Sequence, residues 1–185
     1  MITVRERAAR DVDECVELLE LVYQRDGYPV QGTANAVSFL TGESTWRAWV
    51  AEEQGRIVGH IAVSSPSNDD LAVALHRSIY GNQAIAVLER LFVHPTARGC
   101  GAASALMQTA QSYGASKGQR LVLFALIKDR NAIRLYERLG WRNFGTALYN
   151  YGNGKQMDAI CFCTPQLQAD VGIPPGESTA AVVQL

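Results

Sequence analysis

At 185 residues, 48% of them apolar, the chain is long enough for one α/β domain with a sizeable core and short for two. Its 17 basic residues meet 18 acidic ones, which leaves no charge footprint for nucleic acid and no polybasic face for a membrane. No apolar run approaches the roughly 20 residues that span a bilayer, and the charged start MITVRERAARDVDE has no signal-peptide core, so the expected compartment is the cytoplasm.

Alternation predicts a strand over 2–8. Asp11 then predicts a helix cap, with Glu14 three residues on as its capping-box partner. Val12, Cys15, Val16, Leu19, Val22 and Tyr23 form that helix's apolar stripe. DGYPVQG breaks it, and a short helix follows over 34–40. TWRAWVAEE and RIVGHIAVSS predict a hairpin turning at Gln54-Gly55. PSNDD opens a helix running to 79, stopped by Gly81. A mostly apolar strand covers 84–93, and a helix covers 101–117 with Gly118 as its stop. RLVLFALI, at 120–127, is an apolar run of the kind found in strands buried on both faces. Asp129 predicts the next cap, for a helix with the stripe Ala132, Leu135, Tyr136 and Leu139, ended by Gly140. Two strands, 141–151 and 156–163, are joined through GNG.

From Thr164 the composition changes. TPQLQADVGIPPGESTAAVVQL holds three prolines and no Lys or Arg. The expected organisation is a single domain over 1–163 and a C-terminal tail over 164–185, whose apolar end can pack on a neighbouring chain, as in a homodimer. Cys15, Cys100, Cys161 and Cys163 read as free thiols. The three histidines complete no zinc spacing, so no metal site is expected.

The stretch VHPTARGCGAASALM, 93–107, carries the chemistry. A helix N-terminus leaves backbone N–H groups without partners and bears the positive end of the helix dipole. Gly99, Gly101 and the alanines keep side chains away from it, and Arg98 adds a fixed charge at the rim. Such a site suits a pyrophosphate. A tight turn with glycines for steric reasons alone fits the same residues. Neither a P-loop Gly-Lys-Ser/Thr nor a dinucleotide Gly-x-Gly-x-x-Gly is present.

LERLFVHPTARGCGAASALM resembles motif A of the GNAT superfamily of N-acetyltransferases, whose Arg/Gln-x-x-Gly-x-Gly/Ala signature is matched by Arg98, Gly101 and Ala103. DRNAIRLYERLGW, at 129–141, resembles the same superfamily's motif B, and the element order agrees from about residue 2 to 163. The resemblance implies an α/β (α+β) fold with a mixed, splayed sheet of about seven strands and flanking helices. It implies acetyl-CoA, as co-substrate, held between the fourth and fifth strands. The pantetheine arm would pair with backbone at Leu91, Phe92 and Val93. The pyrophosphate would sit on Arg98, Gly99, Cys100, Gly101, Ala102, Ala103 and Ser104, with Cys100 a bystander. Where the family often carries Asn, seven residues before the motif-B tyrosine, this chain has Asp129, and Asn131 is two residues out of register. The polar contact to the cofactor arm is therefore assigned to Asp129 or Asn131.

The expected activity is acetyl transfer to a primary amine by direct attack. Glu89 interrupts an apolar strand, which is unfavourable unless the carboxylate is solvated or used, and it is the candidate base. Alternation would set it on one face with Leu91 and Val93, and a nearby Arg is the competing partner. Tyr136 is the candidate acid, against a reading as core packing. The alternative function is a non-catalytic acyl-CoA-binding or regulatory module on the same fold. His60, His76 and His94 have no identifiable catalytic partner. Trp46 and Trp49 are expected in the core or the hairpin. Asp26, Glu43, Asp69 and Asp70, on the segments expected to shape the acceptor site, read as solvated surface.

Overall fold

The computed structural model describes residues 1–152 and 154–165, so the tail call from 166 onward lies outside the described residues. The described residues form seven strands: β1 (Ile2–Glu6), β2 (Thr45–Glu53), β3 (Arg56–Ser64), β4 (Ile85–Val93), β5 (Arg120–Leu126), β6 (Arg142–Asn150) and β7 (Gln156–Cys163). They form five α-helices: α1 (Val12–Asp26), α2 (Ala36–Thr41), α3 (Leu71–Tyr80), α4 (Ala102–Ser116) and α5 (Arg130–Arg138). The strands make one mixed sheet in the order β1-β2-β3-β4-β5-β7-β6, the seven-stranded α/β arrangement expected. Two compact units divide the chain. The first comprises Met1–Ser65 and Leu88–Tyr113, the second Pro66–Val87 and the residues from Gly114 on.

In the first unit β1 runs antiparallel to β2, from Ile2 opposite Glu53 to Glu6 opposite Trp49. The β2–β3 hairpin turns where expected. Gln54 and Gly55 have φ of 52° and 77°, the paired positive values of a turn whose twist matches that of the strands. Helix α1 buries Cys15, Leu18, Leu19 and Val22 in a cluster with Leu40, Val50, Ile57 and Phe92. Leu18 takes the place expected of Tyr23, which is exposed. Burial of Cys15 pushes its thiol up to about 12.

The capping box at Asp11 does not form. A 3-10 turn over Ala9–Asp11 leads into the helix, and Asp11 is itself in the helical region, with φ −85° and ψ −10°. Its carboxylate turns back to the Ala8 N–H at 2.6 Å and the Arg5 guanidinium at 2.6 and 2.9 Å, which hold it below the usual carboxylate range. Glu14, freed from the box, accepts the Ile57 N–H at 2.7 Å. Trp49 is buried edge-on to Tyr113, whereas Trp46 is exposed.

In the second unit β4 and β5 are parallel through three pairs, Ile85–Arg120, Ala86–Leu121 and Val87–Val122. β7 pairs antiparallel with β5 on one side and with β6 on the other, so the last of the described strands inserts inside the sheet. That position suits its buried Ala159, Cys161, Phe162 and Cys163. Thr164, read from composition as the start of the tail, is still tied to β5. Its N–H donates to the Leu121 carbonyl at 2.9 Å, and its Oγ1 accepts the Leu121 N–H at 3.1 Å. Asp70 is not solvated surface: its carboxylate caps α3 by accepting the Val73 N–H at 3.0 Å. His76 is fully buried between the rings of Tyr80 and Phe144, and neither ring nitrogen has a hydrogen-bond partner among the described residues. Burial, helped by Arg120 and Arg77, pulls it down to about 4.

Candidate active site

In the first unit β4 leads through a 3-10 turn, Pro95–Ala97, into the loop before α4. His94 sets that turn, its Nδ1 accepting the Thr96 N–H at 3.2 Å. Gly99 and Gly101 then take φ of +83° and +88°. Only glycine adopts such values without strain, and a Cβ built on either would meet nothing within 4 Å. The bare side of both glycines therefore faces open space. Ala105 makes a bond back to the Gly101 carbonyl at 2.9 Å. The N–H groups of Ala102, Ala103 and Ser104 precede it and have no partner within the helix. Gly59 of β3 lets α4 come close, since a Cβ there would stand 3.0 Å from the Leu106 side chain and 3.3 Å from the Phe92 carbonyl oxygen. These residues fit a phosphate group: donors, dipole and room coincide.

Arg98 is not a free rim charge. Its guanidinium pairs with Asp26, at the end of α1, through both terminal nitrogens, and reaches the Val93 carbonyl oxygen at 3.5 Å. Asp26, read as solvated surface, is thus part of the rim. Cys100 is exposed in the same loop.

Strand β4 does not keep the alternation that sequence suggests. Arg90 has φ +58°, so the strand bulges there, and Glu89, Arg90 and Leu91 are all half-buried in succession before Phe92 and Val93 turn inward. The face shared by Glu89, Leu91 and Val93 is therefore not formed by simple period two. Glu89 accepts the Ser64 hydroxyl and faces the Arg90 guanidinium at 3.2 Å, both on Oε1. The Arg90 side chain is nearly buried, donates to Thr45 Oγ1 and lies over the Phe39 ring at 5.2 Å.

His60, which sequence left without a partner, is fully buried with two. Its Nδ1 is 2.9 Å from the Arg90 carbonyl oxygen, its Nε2 is 3.0 Å from Arg7 Nη1, and its ring stacks on Phe92 at 5.0 Å. Burial drives it down to about 3, so the ring is neutral. The nearby Arg expected as the competing partner of Glu89 is Arg90; Ser64, Thr45, His60 and Asp26 are the residues missed. One signal was available: two adjacent charges, Glu89 and Arg90, inside an apolar strand point to a bulge.

In the second unit α5 carries the remaining candidates. Asp129 is its N-cap residue but makes no side-chain cap bond; its carboxylate pairs with Lys128 Nζ at 2.8 Å. Asn131 is exposed at the first turn. Tyr136 is buried, its ring 5.6 Å from that of Phe162 and 6.1 Å from that of Trp141. Burial, with Asp129 adding to it, holds its phenol well above the ordinary value. Among the described residues no group of three His, Cys, Asp or Glu side chains is placed to hold a metal ion.

The sequence pattern of the Acetyltransferase (GNAT) family matches residues 13–141. The chain belongs to the GNAT acetyltransferase family. Membership covers both motif stretches and makes acetyl transfer the general activity suggested for the chain. No curated protein sequence matches it. Solved structures give the same GNAT fold at low identity. An N-acetyltransferase from Staphylococcus aureus Mu50 aligns with a TM-score of 0.67 at 17% identity, over 88% of this chain and 97% of its own. The ribosomal-protein-S18-alanine N-acetyltransferase of Escherichia coli aligns with a TM-score of 0.65 at 20% identity, over 94% and 99%. Arabidopsis thaliana NAA60 in complex with acetyl-CoA aligns with a TM-score of 0.66 at 21% identity, over 88% and 97%.

Proposed function

We propose that this GNAT protein transfers an acetyl group from acetyl-CoA to the primary amine of an acceptor by direct attack. The observation that carries the reading is the pair of left-handed glycines, Gly99 and Gly101, whose missing side chains leave open space ahead of the start of α4, where the first N–H groups have no intrahelical partner. NAA60, of the same fold, is solved with acetyl-CoA. Acetyl-CoA, when bound, supplies the activated acyl group.

The chain's own groups then do the following. Gly99 to Ser104 hold the pyrophosphate by backbone N–H donation, with Arg98 adding charge at the rim and Cys100 and Ala102 contributing backbone only. Leu91, Phe92 and Val93 offer backbone partners to the pantetheine arm, and the Leu91 N–H is the donor for the developing charge on the thioester oxygen. Asp129 or Asn131 supplies a polar contact to that arm. Glu89, whose Oε1 accepts the Ser64 hydroxyl and faces Arg90, accepts the proton of the attacking amine. Tyr136, a phenol and so protonated at neutral pH, donates to the departing thiolate. Glu89 and Tyr136 lie in different units.

The match over 13–141 runs through both units, which supports treating 1–163 as one functional domain. The four free thiols fit a reducing compartment, the cytoplasm. No helix among the described residues is long and apolar enough to cross a membrane.

The test is release of free thiol from acetyl-CoA against a panel of amines that spans small molecules and peptide N-termini, with calorimetric binding alongside. Amine-dependent thiol release is expected. Binding without release would leave only the non-catalytic acyl-CoA module. Absence of both would remove the reading.

A further inference from the structure

We infer that His60 is a positioning residue for the reaction: wedged between Arg7 and the β4 bulge, it fixes the carbonyl of Arg90 and so aims Glu89 and the Leu91 N–H. The inference rests on the acetyltransferase reading above and adds a residue that neither motif contains.

A bulge residue at φ +58° is strained for any side chain but glycine, and it persists only where its surroundings hold it. Here the hold is specific. The Arg7 guanidinium has no acceptor lone pair, so Nε2 of His60 must accept from Nη1 at 3.0 Å. That fixes the proton on Nδ1, which then donates to the Arg90 carbonyl at 2.9 Å. A neutral imidazole with its hydrogen on Nδ1 is the one form that satisfies both neighbours. Full burial favours that neutral form, and Arg7 and Arg90 on either side disfavour a third positive charge.

Arg7 is anchored in turn, because its Nη1 also donates to the Leu40 carbonyl at 2.8 Å. The chain of bonds thus runs from the end of α2 through Arg7 and His60 to the backbone of β4. At the bulge the Arg90 side chain takes over, reaching Thr45 on β2 and Glu89 beside it. Rotation of the 90–91 peptide would move the carbonyl held by His60 and the Leu91 N–H together, since they belong to one planar unit. The Phe92 ring stacks on the imidazole at 5.0 Å and restrains its plane.

The experiment uses the full chain, three His60 variants and a Glu89→Gln background. His60→Phe keeps the stacking ring and removes both bonds. His60→Asn returns a donor near the Nδ1 position, and His60→Gln returns a polar group near Nε2. Turnover at saturating substrates, acetyl-CoA affinity and melting temperature are read on each, and long-range nitrogen–proton NMR gives the His60 tautomer in the wild type. The Phe variant is expected to lose about tenfold or more in kcat, the scale of a small misplacement of reacting groups, with acetyl-CoA affinity within about twofold. Asn should restore most of the rate and Gln mainly the melting temperature. In a Glu89→Gln background the Phe change should cost little more, because both act through one group.

Wild-type kcat in a folded Phe variant, equal rescue by Gln and Asn, or a hydrogen on Nε2 would each overturn the inference. If Phe does not fold, the Asn–Gln contrast and the tautomer decide. A wild-type protein that neither binds nor turns over acetyl-CoA fails at the earlier step and takes the acetyltransferase reading with it, whatever the tautomer shows.

Discussion

Asp26 holds the Arg98 guanidinium through both of its terminal nitrogens, so the positive rim of the α4 loop already has an anion beside it. Both side chains are more than a third exposed, which limits the pair to less than about 1 kcal/mol of stability. Its larger effect falls on a phosphate-bearing ligand, which the Asp26 carboxylate repels while it occupies Arg98. Asp26→Ala is expected to raise acetyl-CoA affinity by about threefold at low salt, and the gain should vanish as added salt screens it. Calorimetric titration of both proteins at two ionic strengths measures this; unchanged or weaker binding at low salt would show that the pair preorganises Arg98 instead.

Gly101→Glu tests the cradle. The side chain has free space to occupy, so the fold should survive, with backbone strain from φ +88° of about 1–2 kcal/mol. The carboxylate would fill the phosphate position and add a repelling charge at the positive helix end. Loss of acetyl-CoA binding with a cooperative melt is expected. Gly101→Ala carries the same strain and no charge, and should retain part of the affinity. Full affinity in a folded Glu variant would empty the cradle of its role.

Tyr136→Phe separates chemistry from packing. Phe keeps the ring against Phe162 and Trp141 and removes only the hydroxyl, so stability should change by about 1 kcal/mol. As the acid for the thiolate, the hydroxyl should contribute roughly 10²-fold or more to turnover. Acetyl-CoA affinity should barely move, since the interaction belongs to the transition state. Steady-state kinetics and a binding isotherm with one accepted amine decide. Weaker binding with unchanged saturated turnover would make Tyr136 a binding residue.

What sequence conveyed well was local. Gln54-Gly55, Gly81 and the two glycines before α4 act on their own backbone, and a helix stop or a positive φ needs no distant partner. The Arg98-to-Ala103 and 129–141 stretches were legible for the same reason, each being contiguous on one element and its approach. The partners were not. Arg98 meets Asp26 across 72 positions, and His60 meets Arg7 and Arg90 across 53 and 30. Nothing in composition or spacing joins such residues before the sheet does. Glu89 was identified by its cost inside an apolar strand, but its surroundings depend on one dihedral at Arg90 that alternation cannot contain. Asp11 and Asp129 were assigned caps by type and position. Each found a stronger partner nearby, Arg5 and Lys128, which removes the cap bond without moving the helix.

The two buried histidines set a pH limit on stability. Unfolded imidazole titrates near 6.5, whereas His60 and His76 are held at about 3 and about 4 in the folded chain. Above pH 6.5 neither ring affects the balance. As pH falls below it the unfolded chain takes up protons that the folded chain refuses, so stability drops. The loss is about 1.4 kcal/mol per pH unit for each ring, up to about 4 kcal/mol for both between pH 7.5 and 5. Denaturant midpoints at the two pH values test it. Equal stability at both would mean that the rings are protonated in the native protein.

The cysteines carry a consequence of another kind. Cys15, Cys161 and Cys163 are buried with their thiols pushed up, so oxidants and alkylating reagents find no thiolate there. Cys100 is exposed between the two glycines of the cradle. Exchange of that thiol with oxidised glutathione, which releases one reduced glutathione, would leave a tripeptide adduct beside the two glycines. The chain's sensitivity to thiol oxidation is thus concentrated in the loop proposed to hold the cofactor, and treatment with oxidised glutathione is expected to weaken acetyl-CoA binding while the melting behaviour stays intact.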